Sequence, residues 1–294
     1  MTRAIRAVAM LVAASLAPLT LTAQSWRTLE AARQRHAEDT LRVRVTFAAG
    51  TFKVGSAPHG SLYDVRLRWD ADRLAPVQRY DVATGTLEIG INTPKKEDGS
   101  NPWRTAFLGM SSSHDEPSTL TLGVSRDVPL DLYLRSGATE SNFDLSDLSL
   151  SRLRVETGAS ETHLDFRTPN PIPLNELDVN SGAASVTVSN LGNSNAQNVR
   201  VHTGVGAVDL DFSGALSRDM NVNLDVVLGA VTLTVPRDFG LRVRMSKVLA
   251  GFQAPDMIEH DGVYTSGNWA NAGHKITVDA NASFGNVEVV WSEK

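Results

Sequence analysis

Apolar and polar residues alternate along most of this chain, the period of strands that bury one face. Leu41, Val43, Val45 and Phe47 fall on one side, with Arg42, Arg44 and Thr46 on the other. Ala48-Ala49-Gly50 predicts a hairpin turn into Phe52 and Val54, with glycine free to take a positive φ. Tyr63, Val65, Leu67 and Trp69 repeat the alternation, as do Leu87, Ile89 and Ile91. The expectation is a meander of antiparallel strands. Trp26 to Glu38 reads two ways, as a helix around Leu29-Glu30-Ala31-Ala32-Arg33 or as a first strand. The stretches Pro94 to Pro102 and Ser111 to Pro117 read as exposed loops.

Further along, one phrase recurs: two short alternating strands joined at a glycine. Leu132 to Gly137 leads to Phe143-Asp144-Leu145, and Leu153 to Gly158 leads to Leu164-Asp165-Phe166. Leu177 to Gly182 leads to Val186-Thr187-Val188, and Val199 to Gly204 leads to Val208-Asp209-Leu210. Val222-Asn223-Leu224 precedes Gly229 and Val231 to Val235; after an insertion, Ile276 to Val278 precede Gly285 and Val287 to Val289. One such unit cannot bury its apolar face alone. Stacking the units about 4.8 Å apart gives a continuous core, with glycine where the chain bends against the next rung. A Greek-key sandwich is the rival architecture, and it gives no reason for the near-constant phase.

The expected fold class is therefore all-β: a β-solenoid-like stack over residues 128–294, interrupted at about 252–275, after an antiparallel β meander over residues 24–127. An open terminal rung presents unpaired backbone. The meander is placed to close one end, and the insertion holding Tyr264 and Trp269 is placed to pack over the other end or one side.

Composition adds a compartment. Arg3 and Arg6 precede an apolar run from Ala7 to Leu19, and Leu21-Thr22-Ala23 fits a peptidase site, so residues 1–23 read as a signal peptide cut before Gln24. The expected location is periplasmic or extracellular. There is no cysteine, which removes disulfide scaffolds, thiolate metal sites, cysteine nucleophiles and a lipoprotein anchor. The whole chain has a formal charge of −5, and loss of Arg3 and Arg6 leaves −7. A mildly acidic chain without a basic block argues against nucleic acid as a partner. No apolar stretch after the leader is long enough to span a bilayer.

Candidate chemistry is sparse. Gly204-Val205-Gly206 lacks the third glycine of a phosphate loop and leads into a strand, so it reads as a corner pair. His163 and His202 fall on outward strand positions of different rungs, where a lone histidine is a solvated residue. After each corner the outward position reads Asp144, Asp165, Thr187, Asp209, Thr232 and Glu288. Rung spacing would bring Asp144 and Asp165 about 5 Å apart, the separation of a retaining glycosidase pair. A flat column, however, has no walls to exclude water or shift a pKa, and only 6% of the chain is aromatic, with Tyr133 alone outside on the regular rungs. Before each corner, Tyr133, Arg154, Asp178, Arg200 and Asn223 form a column of alternating charge. Asn180, Asn190, Asn193, Asn195, Asn198, Asn221 and Asn223 read as turn ladders.

Val128-Pro129-Leu130-Asp131-Leu132-Tyr133-Leu134-Arg135-Ser136-Gly137-Ala138, followed by Asp144-Leu145-Ser146-Asp147-Leu148, resembles the toast-rack and LiaF-like C-terminal domains of adhesin-like bacterial envelope proteins. Tyr264-Thr265-Ser266 through Trp269, then Ile276 to Val278, Gly285, Val287 and Val289, is similar to the closing motif of such domains. The resemblance covers most of the mature chain. It implies a right-handed β-solenoid-like fold, no known enzymatic function in most members and, in LiaF, restraint of an envelope-stress two-component system.

The function expected is that of a non-enzymatic exported envelope protein, presenting a rigid surface to an envelope protein or polysaccharide. No catalytic, cofactor-binding or metal-binding residue is assigned. Two other readings stand beside it: a carbohydrate-active enzyme using Asp144 and Asp165, and a soluble regulatory partner of an envelope-stress sensor.

Overall fold

The computed structural model describes residues 25–92 and 116–293. The signal peptide read over residues 1–23, the loop read at 94–102 and most of that read at 111–117 lie outside them. In chain order the strands are β1 (Trp26–Gln34), β2 (Leu41–Ser56), β3 (Ser61–Asp70), β4 (Ala75–Asp81), β5 (Thr86–Asn92) and β6 (Thr119–Val124). There follow β7 (Leu130–Asp144), β8 (Leu150–Asp165), β9 (Glu176–Ser189), β10 (Asn198–Asp211) and β11 (Met220–Pro236). The last are β12 (Gly240–Gln253), β13 (Met257–His260), β14 (Val263–Ser266) and β15 (Lys275–Ser292). All join one sheet, so the chain is all-β and solenoid-like, as its pattern predicts.

Each strand–glycine–strand phrase is a single long strand bent at its corner, and successive strands pair in parallel: β2, β7, β8, β9, β10, β11, β15, β12. Parallel in-register stacking places like positions above one another. Val43, Leu132, Leu153, Leu177, Val199, Val222, Val278 and Val243 form one such column, and every one is buried. Each of these side chains contributes roughly 1.5–3 kcal/mol on leaving water. Past the bend, Val54, Phe143, Leu164, Val188, Leu210, Leu233 and Val289 make a second buried column. The core lies between these two arms.

The inner side of the bend is polar, and its groups bond across rungs. Ser136 Oγ donates to Thr157 Oγ1 at 3.1 Å, and Ser181 and Thr203 hydroxyls meet at 2.8 Å, all four residues buried. The return loops stack through buried asparagines. Asn170 Oδ1 accepts from the Leu150 amide at 2.8 Å, while Asn193 Nδ2 donates to the Phe166 carbonyl and its Oδ1 accepts from the Ala215 amide, both at 2.8 Å. Asn190 and Asn195 take left-handed φ values of 57° and 56°, the asparagine role that the sequence suggests. Asn198, Asn221 and Asn223, by contrast, occupy strand positions rather than turns.

The N-terminal part departs from a simple meander. Ala48-Ala49-Gly50 is no hairpin but the corner of one continuous strand, β2, which pairs in parallel with β7 from Leu41↔Leu130 to Val54↔Phe143. Gly50, at φ 118°, allows the bend because a Cβ there would overlap the Ser118 carbonyl. The next rung is split: β5 pairs with the first arm of β2 and β6 with its second arm. Antiparallel strands then cover the split rung, β4 on β5 and β3 followed by β1 on β6. Trp26–Gln34 is thus a strand, not a helix.

At the other end the strand order departs from the chain order. β15 follows β12 in sequence but lies between β11 and β12, pairing in parallel with both. The intervening hairpin of β13 and β14 covers part of β12 from outside, with Tyr264 packed edge-on against Phe252 at 4.5 Å and Arg242 stacked 4.1 Å over Trp269.

The corner glycines form two columns rather than one. Gly137, Gly158, Gly182 and Gly204 stack at the bend, each after the first facing the carbonyl of the one before. Gly206, Gly229 and Gly285 stack two residues later in register, and there a Cβ would collide with the backbone of the neighbouring rung. Gly285 combines that collision with φ 129°. Gly285→Ala is expected to cost about 3 kcal/mol in chemical denaturation. Gly267→Ala, where nothing lies within 4 Å of the place a Cβ would take, is expected to change stability by less than about 0.5 kcal/mol.

Candidate functional site

Asp144 and Asp165 are register partners on adjacent rungs, β7 and β8, as their spacing predicts. The rest of the outward column that the sequence suggests is displaced from them. Thr187 aligns with His163 and Asn142, and Asp209, Thr232 and Glu288 continue that line. Asp165 aligns instead with Ser189. The two carboxylates therefore belong to a separate column one alternation further on, and Thr187 is not their neighbour.

Their chemistry is that of an ion-pair clamp. Arg167 sits past the end of β8 and bridges both, Nη2 to Asp144 Oδ2 at 3.0 Å and Nε to Asp165 Oδ2 at 2.8 Å. The two carboxylates hold the guanidinium pKa above its usual value, the hydrogen bond that Arg167 donates to Asp165 leading. Asn190 donates a further bond to Asp165 Oδ1 at 2.8 Å, and the Ser146 amide donates to Asp144 Oδ1 at 3.2 Å. A glycosidase pair needs one carboxyl held protonated by an apolar or like-charged setting. Here the Arg167 guanidinium is bonded to both carboxylates, so neither stands in such a setting.

The column before the corner runs as the sequence predicts. Arg44, Tyr133, Arg154, Asp178, Arg200, Asn223, Asp279 and Arg244 align in register. Opposite charges meet: Arg154 to Asp178 at 3.3 Å and Arg244 to Asp279 at 3.2 Å. Two residues earlier Asp131, Arg152 and Glu176 link rungs at 3.1 and 3.3 Å, and Glu176 also reaches Arg200 of the later column at 3.6 Å. The arginines of these pairs reach into solvent, so each pair adds little stability, but together they set register by penalising a slip.

A shallow groove of about 390 Å³ runs along the first glycine column. Gly137, Gly158 and Gly182 lie along it, with Arg135, Glu156 and His202 among its lining residues. Arg135 Nε lies 3.8 Å from Glu156 Oε2, and Tyr133 Oη donates to Glu156 at 2.8 Å. Burial, then this bond and the charge of Glu156, push the Tyr133 phenol above its usual pKa. His163 is partly exposed and lies 3.1 Å from Glu161, while His202 is exposed at the groove. Among the described residues no three His, Asp or Glu side chains gather where they could hold a metal ion.

Sequence reasoning missed the exposed apolar residues of the far corner. Val205, Leu228 and Phe284 are register neighbours, each close to half exposed, and Val227 stands beside them. Tyr133 is therefore not the only aromatic ring on the outside of the rungs. The signal was present, since each of the three directly precedes a glycine of the second column.

The family model described as the N-terminal domain of toast_rack, DUF2154, matches residues 22–188. The chain belongs to the toast_rack family. Solved structures similar to this toast_rack chain include a candidate cell adhesion protein from Clostridium sporogenes, 17% identical, covering 91% of this chain and 100% of its own, with a TM-score of 0.46. A candidate adhesin from Parabacteroides merdae is 8% identical over 90% of this chain and 96% of its own, with a TM-score of 0.38. One from Bacteroides fragilis is 10% identical over 91% and 98%, with a TM-score of 0.36. Likeness at that level carries no argument about what the toast_rack chain does. No curated protein matches it.

The Tyr133 bond gives a pH test. A phenol whose pKa rises on folding adds stability below its unfolded value of about 10, and loses it as pH climbs through the folded value. Tyr133→Phe is expected to lower stability by about 0.5–1.5 kcal/mol at neutral pH. The gap from wild type should narrow as pH climbs past about 10, in urea denaturation at stepped pH.

Proposed function

We propose that this chain is a non-enzymatic exported envelope protein that presents a rigid β surface for binding or assembly. The observation that carries the reading is the engagement of its outward carboxylates. Asp144 and Asp165 are clamped on Arg167, and Asp131, Glu176, Asp178 and Asp279 are each bridged to an arginine of a neighbouring rung. Groups tied into charge ladders stiffen a surface, and they are poorly poised to move protons. Continuous parallel pairing and a core running through every rung make that surface stiff along its length. Export rests on the pattern of Arg3, Arg6 and the apolar run before Gln24. No helix among the described residues is long and apolar enough to cross a membrane.

The test has two arms. Expressed with its leader in a bacterial host, the chain is expected outside the cytoplasm with Gln24 as its new N-terminus, read by fractionation and N-terminal sequencing. The purified chain is expected to sediment with isolated envelopes or cell-wall polysaccharide and to release no new reducing ends from a polysaccharide panel. Hydrolysis that disappears in Asp165→Asn would falsify the non-enzymatic reading, and an uncleaved cytoplasmic product would overturn export.

A further inference from the structure

The two glycine columns divide the outer face of the corner into two stretches. Set between register pairs, Gly137, Gly158, Gly182 and Gly204 stand above one another on β7 to β10. Alanine follows the first three, at Ala138, Ala159 and Ala183, so three successive rungs show almost no side chain at the bend. On β11 and β15 the bend passes to the second glycine column, and the first carries Val227 and Ser283. The residues that follow grow in step, from Val205 to Leu228 to Phe284, each close to half exposed. The groove along Gly137, Gly158 and Gly182 is the trough left where side chains are missing, and Val205 and Val227 rise at its end.

One wall of this trough is a single column. Arg135, Glu156, Asn180 and His202 are register partners on successive rungs, and all four line it. They repeat at the rung spacing of about 4.8 Å. The charges of Arg135 and Glu156 cancel, and an amide and an imidazole each bring hydrogen-bond donors and acceptors. Asn180 Nδ2 donates to Asp178 at 2.7 Å. Among the described residues neither the Asn180 amide oxygen nor the His202 ring has a protein partner.

We propose that the trough binds a neutral, unbranched polysaccharide laid along the stack, across the strands. This names a ligand class for the surface-presenting reading above and rests on it. A polyanion would need surplus cations, whereas the one arginine of the wall faces a glutamate in a chain of net charge −5. A peptide joins a sheet along a strand edge, and the trough crosses strands that are paired on both sides. A compact small molecule needs a site that encloses it, and this groove is shallow. An extended glycan presents hydroxyls, each a donor and an acceptor, at intervals close to the rung spacing. Its C–H faces can rest on the glycine and alanine floor. The wall holds no aromatic ring, so affinity must accumulate over several rungs through hydrogen bonds.

The test titrates the mature chain calorimetrically with cello-, chito- and manno-oligosaccharides of increasing length. Binding is expected to tighten up to about four sugar units, one for each rung of the wall, and then to level off. Added salt should leave it unchanged, because no charge is neutralised. His202→Ala and Asn180→Ala are each expected to weaken it about tenfold, the loss of one hydrogen bond, while Thr232→Ala on the other arm has no effect. If either wall variant misfolds, hydrogen exchange on the unaltered chain decides, with protection by the oligosaccharide expected around residues 135–137, 156–158, 180–182 and 202–204. Absence of binding by all three series overturns the proposal, as does binding that survives in both folded variants. Protection confined to other rungs, or a preference for polygalacturonate, overturns it too. Sedimentation with isolated envelopes is measured beside it. A chain that sediments but binds none of the series loses the trough and keeps the surface-presenting role; one that binds the series but sediments with nothing loses that role and keeps the trough.

Discussion

The backbone carbonyl of one rung approaching the corner of the next is the contact on which this fold depends. Parallel strands repeat at about 4.8 Å, and a strand that bends must bend at the same place as its neighbours or lose the ladder. At the bend a Cβ in the second glycine column would occupy the space of the adjoining carbonyl oxygen. The remaining features follow from keeping that bend in phase. Both arms can then stack like on like, apolar columns become continuous, and outward residues fall into lines whose charges alternate or, as at Asp144 and Asp165, share a counter-charge.

In-register stacking concentrates polar demands as well as apolar ones. A hydroxyl on the inner side of a corner meets another hydroxyl above it, and a buried loop amide meets another loop amide. Ser136, Thr157, Ser181 and Thr203 bond to one another or to nearby hydroxyls, and Asn170 and Asn193 take up loop backbone groups on neighbouring turns. Leaving such a group unpaired in the interior costs about 1–3 kcal/mol, so these short polar side chains hold loops to a shared height without filling the core.

Much of this is legible in the residues alone. Alternation of Leu132, Leu134 or Val199, Val201 marks the buried face, and the recurring glycine marks the bend. The charge column from Tyr133 to Asn223 is in register as read, because it lies at a fixed distance before the corner. The outward column after the corner is misaligned by the pattern, because Asp144 lies seven residues beyond Gly137 whereas Thr187 lies five beyond Gly182. Alternation alone cannot choose between two outward positions of one arm. The corners at Gly229 and Gly285 merge with the first column for a related reason: both columns hold glycine, and only Gly204-Val205-Gly206 contains the two together. At Ala48-Ala49-Gly50, a tight turn and an open bend need the same residues, and the choice is made by a partner far along the chain, β7. The Arg167 clamp has no local pattern to reveal it, since Arg167 lies beyond the strand that it serves.

The placement of β15 between β11 and β12 has a consequence for how the molecule is made. In any chain synthesised from its N-terminus, β12 is in existence before the strand that will connect it to the rest. During that interval β11 ends the ordered stack, and β12 with its hairpin has no parallel neighbour to rest on. The growing protein therefore carries an unfinished gap until residues 275–292 arrive, and their arrival completes two ladders in one stroke. A rung buried mid-stack thus acts as the closing piece. The strand order therefore couples the integrity of one terminal cap to the presence of a segment that lies inside it.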